Sequence, residues 1–195
     1  MTTSWPTYEG NAGMTSVNRR PDRRSPLVLD VLELSRAPGM MREIQRTVPA
    51  PADLGIEVIG VPTGSDIDLD LRAEDVGDGI LISGTATAQL RGECVRCLAE
   101  LDERTPFKMQ ELFFNEDQEV EEGESQIQDD MIDLDEALRH AVVLELPFKP
   151  LCGDDCAGLC SECGADLNED PTHAHAPRVD SRWEKLAELD LGPEN

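Results

Sequence analysis

Aromatic residues are scarce in this 195-residue sequence. Phe, Trp and Tyr make up 4% of the chain, while hydrophobic residues as a whole make up 39%. A core built from these residues has to be mainly aliphatic, and the length is that of one domain able to bury a real core. No apolar run approaches the roughly 18 residues that a membrane span needs, and residues 1–20 lack the apolar stretch of a secretory signal. We therefore expect a cytoplasmic protein without membrane contact.

Basic residues are also few. The chain has 17 Lys and Arg residues against 41 Asp and Glu residues, which gives a formal net charge of −24. The negative charge lies in residues 48–195, because the seven arginines of residues 1–47 outnumber the five acidic residues there. A body this acidic repels phosphate backbones, so we expect no nonspecific nucleic-acid binding by the body itself. The four arginines of residues 19–24 form either a solvated tail or a nucleic-acid-binding arm.

Apolar and polar residues alternate through the middle of the chain. The alternation with aspartates over residues 66–71 is typical of a strand with one buried and one wet face. An Asp-Gly turn signal follows at residue 78, the alternation resumes over residues 80–90, and a further strand is predicted over residues 107–114. These segments predict an antiparallel meander in which Cys94 continues an apolar face.

Shorter elements flank the meander. Residues 27–34 predict a strand, and the apolar spacing within residues 35–48 predicts a short helix. The first half of the acidic run 116–136 is too charged and too broken by Gly and Ser to pack, so it is expected to be a loop or disordered, and a helix is predicted to start near Asp133. A capping box predicts a last helix over residues 181–189.

Together these patterns predict an α+β fold. The body is expected to be antiparallel and β-rich, a meander or partly open barrel, with a few short helices and a C-terminal Cys-rich zinc knob. Residues 1–24 would be a disordered tail. A single domain would span residues 25–170, including the knob at residues 151–168, and residues 171–195 would form a polar tail with the last short helix.

The six cysteines fall into two clusters. Cys94 and Cys97 form a CVRC motif, and four more cysteines lie between Cys152 and Cys163. Thiols packed this closely indicate a soft-metal site or a redox device, and two CxxC pairs without a secretory signal favour a metal over disulfides. The two-residue spacer after Cys160 lets both sulfurs face one ion, and the glycine that follows lets the backbone turn back.

Two ligand sets are compatible with one structural zinc ion, which needs four tetrahedral ligands. The favoured set is local and consists of Cys152, Cys156, Cys160 and Cys163. The alternative set is long-range and consists of Cys94, Cys97, Cys160 and Cys163. Loop-closure entropy grows too slowly with loop length to exclude the second set. His173 and His175 could substitute as ligands, but their surroundings are those of a polar tail.

No catalytic constellation accompanies the cysteines. The spacing Cys156-x3-Cys160-x2-Cys163 is that of the iron–sulfur loop in radical S-adenosylmethionine enzymes, but that chemistry needs a large α/β barrel after the cluster, and 32 residues follow Cys163. Neither CxxC pair opens a helix in a βαβ pattern, as a thioredoxin-like site would require. His140 has no evident Ser or Cys partner. We therefore expect no enzyme, no catalytic residue and no small-molecule substrate.

Several motifs occur in an order that resembles one known family. CVRCLAEL at residues 94–101 comes first, and an acidic run then leads into IDLDEAL at residues 132–138. PLC at residues 150–152 and GLCSECG at residues 158–164 follow. This order is similar to that of the YceD family, the large ribosomal RNA subunit accumulation proteins.

The resemblance implies a bacterial or organellar protein that supports the synthesis, processing or accumulation of large-subunit ribosomal RNA, without an enzymatic activity. Because the body is acidic, we expect contact with the RNA or the pre-ribosomal particle to run through proteins or the basic N-terminal segment. The alternative is a protein–protein adaptor or regulator with a structural zinc site, whose acidic surface binds a basic partner. A metal-dependent nuclease is a third class, but no catalytic carboxylate constellation is visible for it.

Overall fold

The computed structural model describes residues 20–37, 39–121, 123–175 and 182. In chain order, the elements in these residues are β1 (Val28–Asp30), α1 (Leu32–Ser35), β2 (Met41–Pro49), β3 (Leu54–Ile56), β4 (Ile59–Val61), β5 (Asp66–Asp75), β6 (Gly79–Glu93), β7 (Glu100–Phe114), β8 (Ser125–Gln126), β9 (Met131–Asp133) and α2 (Asp135–Glu145). Within this part of the chain, no helix combines the length and the apolar character needed to cross a membrane.

The centre of the molecule is the long hairpin of β6 and β7. The two strands pair antiparallel over 15 residues each, from Gly79 opposite Phe114 to Glu93 opposite Glu100. On the other edge of β6, β5 pairs with the first part of the strand and β4 with its last part. β2 and β3 lie outside β5 and β4, and β8 adds a short parallel pairing to β7. The result is a seven-stranded sheet in which every long pairing is antiparallel.

One face of this sheet is buried and the other is exposed to solvent. Along β5, Ile67, Leu69 and Leu71 are buried, whereas the aspartates between them are exposed. Apolar side chains of α2 and of the small β1–β9 sheet belong to the same core cluster as the buried face. Phe107 and Phe113 join a core that is otherwise aliphatic apart from one methionine. The antiparallel, β-rich architecture predicted from the sequence is confirmed.

The short helix predicted over residues 35–48 is wrong. The chain there forms β2, which pairs along its whole length with β5. Residues four apart share a face in a helix and in a strand alike, so the spacing of Ile44 and Val48 fits both structures. The pairing with β5 supplies hydrogen-bond partners for the backbone N–H and C=O groups of this segment, and it therefore favours the strand over the helix. The strand predicted over residues 27–34 is also shorter than expected, because it ends at Asp30 and the helical turn α1 follows.

The helix predicted to start near Asp133 is α2. The carboxylate of Asp133 accepts a hydrogen bond from the Asp135 N–H (3.0 Å) ahead of the first turn. Leu138 and Val142 form the buried stripe of the helix. The acidic segment 116–136, expected to begin as a loop, also contains the short strands β8 and β9.

The predicted tails fall mostly beyond the part of the chain described here. The helix expected over residues 181–189 lies outside the described residues except for Arg182, and so does most of the tail 1–24. The domain boundaries inferred from the sequence therefore stay predictions.

Gly84 permits the close pairing of β5 and β6. Its φ angle is +148°, and a Cβ atom there would lie 2.2 Å from the carbonyl oxygen of Asp70 and 2.8 Å from the Cα atom of Leu71. We expect Gly84→Ala to lower the free energy of unfolding by about 1–3 kcal/mol, because overpacking against backbone forces the strands apart. Urea denaturation measures the effect. Ser83→Ala is the matched control, and equal stability of the two variants would contradict the prediction.

Candidate metal centres

The structure brings the six cysteines and two histidines into two groups. The first, called here the four-cysteine group, consists of Cys94, Cys97, Cys152 and Cys156. The second, called the cysteine–histidine group, consists of Cys160, Cys163, His173 and His175. Within each group all ligand atoms lie within 4.8 Å of one another. Each group therefore supplies the four donors that a tetrahedral metal site needs.

Both ligand sets inferred from the sequence are divided between these groups. Of the local set, Cys152 and Cys156 join CVRC, whereas Cys160 and Cys163 join the histidines. The long-range set is divided too, because CVRC and the second CxxC pair belong to different groups. The polar residues around the histidines had favoured a polar tail over a ligand role. Their position shortly after a CxxC motif was the signal that could have identified them as ligands.

The four-cysteine group forms where two distant segments meet at the end of the β6–β7 hairpin. CVRC makes the turn between the strands, and the segment after α2 returns to this turn. There the Val95 N–H donates a hydrogen bond to the carbonyl of Pro150 (3.0 Å). This contact places Cys152 and Cys156 beside CVRC, although Cys156 is 62 residues from Cys94 in the sequence.

The sulfur positions of the four-cysteine group suit a tetrahedral ion. The Sγ atoms of Cys94 and Cys156 are 3.8 Å apart, and those of Cys97 and Cys152 are 3.5 Å apart. Zn–S bonds of about 2.3 Å in a tetrahedron separate the sulfurs by about 3.8 Å. Cys152 is exposed, but the other three cysteines are buried with Leu159 packed against them. Four thiolates close the coordination shell and leave no position for a substrate water.

Each group contains a CxxC turn, and the two turns have the same backbone geometry. In CVRC, the Leu98 N–H donates to the carbonyl of Cys94 (2.9 Å), and in the second pair the Gly164 N–H donates to the carbonyl of Cys160 (2.8 Å). In both turns the N–H of the first cysteine donates to the carbonyl two residues beyond the second cysteine (2.8 Å in each). The residue after each CxxC pair has a positive φ, +60° at Leu98 and +75° at Gly164. Each turn thus presents two sulfurs on one side.

The backbone of these turns also stabilises thiolates. The N–H of Cys97 lowers the pKa of Cys94 to about 6, although burial opposes this effect. In the second turn, the N–H of Glu162 is the main cause that lowers the pKa of Cys160 to about 6. The hydrogen bond with the Cys97 side chain instead raises the pKa of Cys152 to about 12. The first cysteine of each CxxC pair is therefore a thiolate at neutral pH, the form that binds a metal.

The cysteine–histidine group lies closer to solvent than the four-cysteine group. The Sγ atom of Cys160 is 3.2 Å from Nε2 of His175, and the Sγ atom of Cys163 is 3.2 Å from Nε2 of His173. Cys163 and His175 are exposed, and the other two ligands are partly exposed. Two thiolates with two imidazoles are a donor set that fits zinc.

A short segment connects the two groups. It runs from Cys156 to Cys160 and is held by Arg96, which lies inside CVRC. The Leu159 N–H donates to the carbonyl of Arg96 (3.1 Å), and the Arg96 guanidinium donates to the carbonyl of Cys156 (2.9 Å). Gly158, with φ +79°, packs so closely that a Cβ atom would lie 3.1 Å from the Arg96 carbonyl oxygen. The CVRC turn therefore positions the chain that leads to the second group.

The fold and the two groups together define the class of protein. It is an antiparallel β-sheet protein with candidate metal-binding turns. Comparison with known families makes this class specific. The model of the family described as "Large ribosomal RNA subunit accumulation protein YceD" matches residues 82–190. The chain belongs to this family, as the order of its motifs predicted, and the family name links it to the accumulation of large-subunit ribosomal RNA.

Mycobacterial proteins are similar to this chain over most of its length. An uncharacterized protein of Mycobacterium tuberculosis strain H37Rv is 43% identical over 176 residues, which is 88% of this chain and 84% of the relative. An uncharacterized protein of Mycobacterium leprae is 39% identical over 175 residues, which is 87% of this chain and 80% of the relative. No solved structure gives a significant match.

The grouping predicts that Cys94→Ser/Cys97→Ser and Cys152→Ser/Cys156→Ser have the same effect. Each variant removes two ligands of the four-cysteine group, so each is expected to lose one equivalent of bound metal and to unfold at a lower temperature. Elemental analysis of the full-length protein and thermal denaturation measure the two effects. Replacing Cys160 and Cys163 by serine is the matched control and should leave the ion of the four-cysteine group in place. Full metal retention by Cys94→Ser/Cys97→Ser, with loss from the other variant, would contradict the grouping.

The pKa of Cys160 predicts the pH dependence of its reactivity in protein whose cysteine–histidine group holds no metal. Iodoacetamide attacks the thiolate, so we expect labelling of Cys160 in the folded chain to be half-maximal near pH 6, against near pH 9 in the urea-unfolded chain. Mass spectrometry of the labelled peptides measures this. Because the folded-state pKa is lowered, this group stabilises the folded state fully above about pH 9, and that contribution is lost as the pH falls through about 6. A half-maximum near pH 9 in the folded protein would show that the turn does not stabilise the thiolate.

Proposed function

We propose that this protein is a cytoplasmic, non-enzymatic ribosome-biogenesis factor that supports the synthesis, processing or accumulation of large-subunit ribosomal RNA. The observation that carries the proposal is membership of the YceD family. The matched residues 82–190 include CVRC and all eight ligands of the two groups. The matched region therefore contains both candidate metal groups.

We assign zinc as the ion of the four-cysteine group, with a structural role. A closed set of four thiolates is typical of structural zinc sites and gives no access to a substrate water, which supports a non-enzymatic protein. The ion would join the hairpin turn to the segment after α2. Structural zinc sites contribute on the order of 10 kcal/mol of apparent binding free energy at neutral pH, which is comparable to the stability of a whole domain.

The charge distribution supports contact with the pre-ribosomal particle through its basic proteins. Asp66, Asp68 and Asp70 of β5 are exposed on the wet face of the sheet, and the chain as a whole carries a net charge of −24. Such a surface attracts basic protein segments and repels RNA phosphates. The same face favours the second candidate function, a protein–protein adaptor that binds a basic partner outside ribosome assembly.

Deletion or depletion of the protein tests the proposed function. We expect the ratio of large-subunit to small-subunit ribosomal RNA to fall, measured on total RNA, and the large-subunit peak to shrink in sucrose gradients. Re-expression of the wild-type chain should restore both. Cys94→Ser/Cys97→Ser should not, because it removes half of the ligands of the four-cysteine group.

His140→Ala is the matched control for that complementation. His140 is an exposed residue of α2 outside both metal groups, so this variant should restore the RNA ratio when immunoblots show equal amounts of protein. An unchanged RNA ratio and a normal gradient profile after deletion would contradict the ribosomal role and favour the adaptor.

A further inference from the structure

We propose that the cysteine–histidine group binds a second zinc ion, separate from the ion of the four-cysteine group and faster to exchange. This site is independent of the ribosomal role proposed above. Two thiolates and two neutral imidazoles balance the charge of Zn²⁺, and mixed sulfur and nitrogen ligands are those that tetrahedral zinc sites use. The chain would then hold two ions, whereas the sequence predicts one.

The four donor atoms of the group converge on one point. Two Sγ–Nε2 distances are 3.2 Å, and Nε2 of His173 lies 2.9 Å from Nε2 of His175. Zinc bonds of about 2.3 Å to sulfur and about 2.0–2.1 Å to nitrogen separate sulfur from nitrogen by about 3.5 Å and the two nitrogens by about 3.4 Å. An ion would spread the donors by a few tenths of an ångström, which side-chain rotation accommodates without moving the backbone.

Glu162 orients one of the histidines. Its Oε2 atom lies 3.5 Å from Nδ1 of His175. A carboxylate beside one ring nitrogen favours the proton on that nitrogen and leaves the lone pair of Nε2 free for a metal. Metal-bound histidines almost always have such a partner. This contact points to a metal site rather than to a chance cluster of polar side chains.

The chain on both sides of the group is held by its own hydrogen bonds. The carboxylate of Asp170 accepts from the N–H (3.1 Å) and the hydroxyl (2.8 Å) of Thr172. The His173 N–H then donates to the carbonyl of Asp170 (3.1 Å). The cysteines are carried by the CxxC turn that ends at Gly164. Because both halves are already ordered, binding costs little conformational entropy.

Exposure and sequence position explain why this ion would exchange first. Cys163 and His175 are exposed, whereas three ligands of the four-cysteine group are 8% exposed or less. A chelator can therefore reach the donors of the cysteine–histidine group and replace them one at a time. All four donors also lie on the single segment 160–175, so the ion can leave without separating the hairpin turn from the segment after α2.

Zinc release from the purified full-length protein tests the second site. Excess 4-(2-pyridylazo)resorcinol, which absorbs visible light when it binds zinc, is expected to remove two equivalents in two phases. His173→Ala/His175→Ala should lose one equivalent and the faster phase, while the slower phase and the far-ultraviolet circular dichroism are retained. Glu162→Gln should weaken binding at the faster site by about 10- to 100-fold. The matched control His140→Ala should keep both equivalents and both phases.

Three results would overturn the proposal. The first is a wild-type protein that retains one equivalent of zinc or none after purification with zinc present. The second is a His173→Ala/His175→Ala variant that still binds two equivalents. The third is release of both ions in a single phase. None of these results depends on ribosomal RNA levels, so failure here is distinguishable from failure of the proposed function.

Discussion

The antiparallel pairing of β6 with β7 positions both the core and the first metal group. Side chains alternate between the two faces of a strand, so a shift of one residue in this pairing would turn Ile80, Ile82 and Ala86 towards water. The same shift would displace CVRC from the end of the hairpin. In the observed register Cys94 is fully buried and continues the apolar face of β6. The four-cysteine group is thus an extension of the hairpin, and the register that buries the core also places its first ligand.

The acidic composition opposes this compact arrangement, and metal binding would offset part of that effect. The chain carries a formal net charge of −24, and within the described residues no polar or charged residue is buried, so the charges of these residues lie at the surface. Mutual repulsion of like charges favours more open states of the chain. A divalent cation in the four-cysteine group would offset part of this repulsion by joining two segments that are far apart in sequence, whereas its own charge is outweighed by the four thiolates that bind it. Removal of metal would therefore act on the fold as well as on the site.

The two CxxC turns share a backbone geometry, but one brings together segments that are distant in sequence and the other brings together residues of one local segment. The CVRC turn joins the central hairpin to a segment about 60 residues away, whereas the second turn joins residues 160–163 to histidines on the same segment. Arg96 holds the short chain between the groups. A long-range site ties the body of the domain together, and a local site orders only its own loop. This difference is the basis for proposing a structural ion in the first group and an exchangeable ion in the second.

Structural features that depend on a few neighbouring residues could be predicted from the sequence alone. The alternation of apolar and polar residues over residues 66–71 predicted a strand because successive side chains of a strand point to opposite faces of the sheet. The CxxC turns could also be predicted, because they too depend on a few neighbouring residues. The helix over residues 35–48 could not be excluded, because its spacing fits both periods and the pairing with β5 decided between them. The ligand sets depended on tertiary structure as well. Loop-closure entropy barely distinguishes near from far partners, so the contact of the segment after α2 with the hairpin turn decided which sulfurs meet.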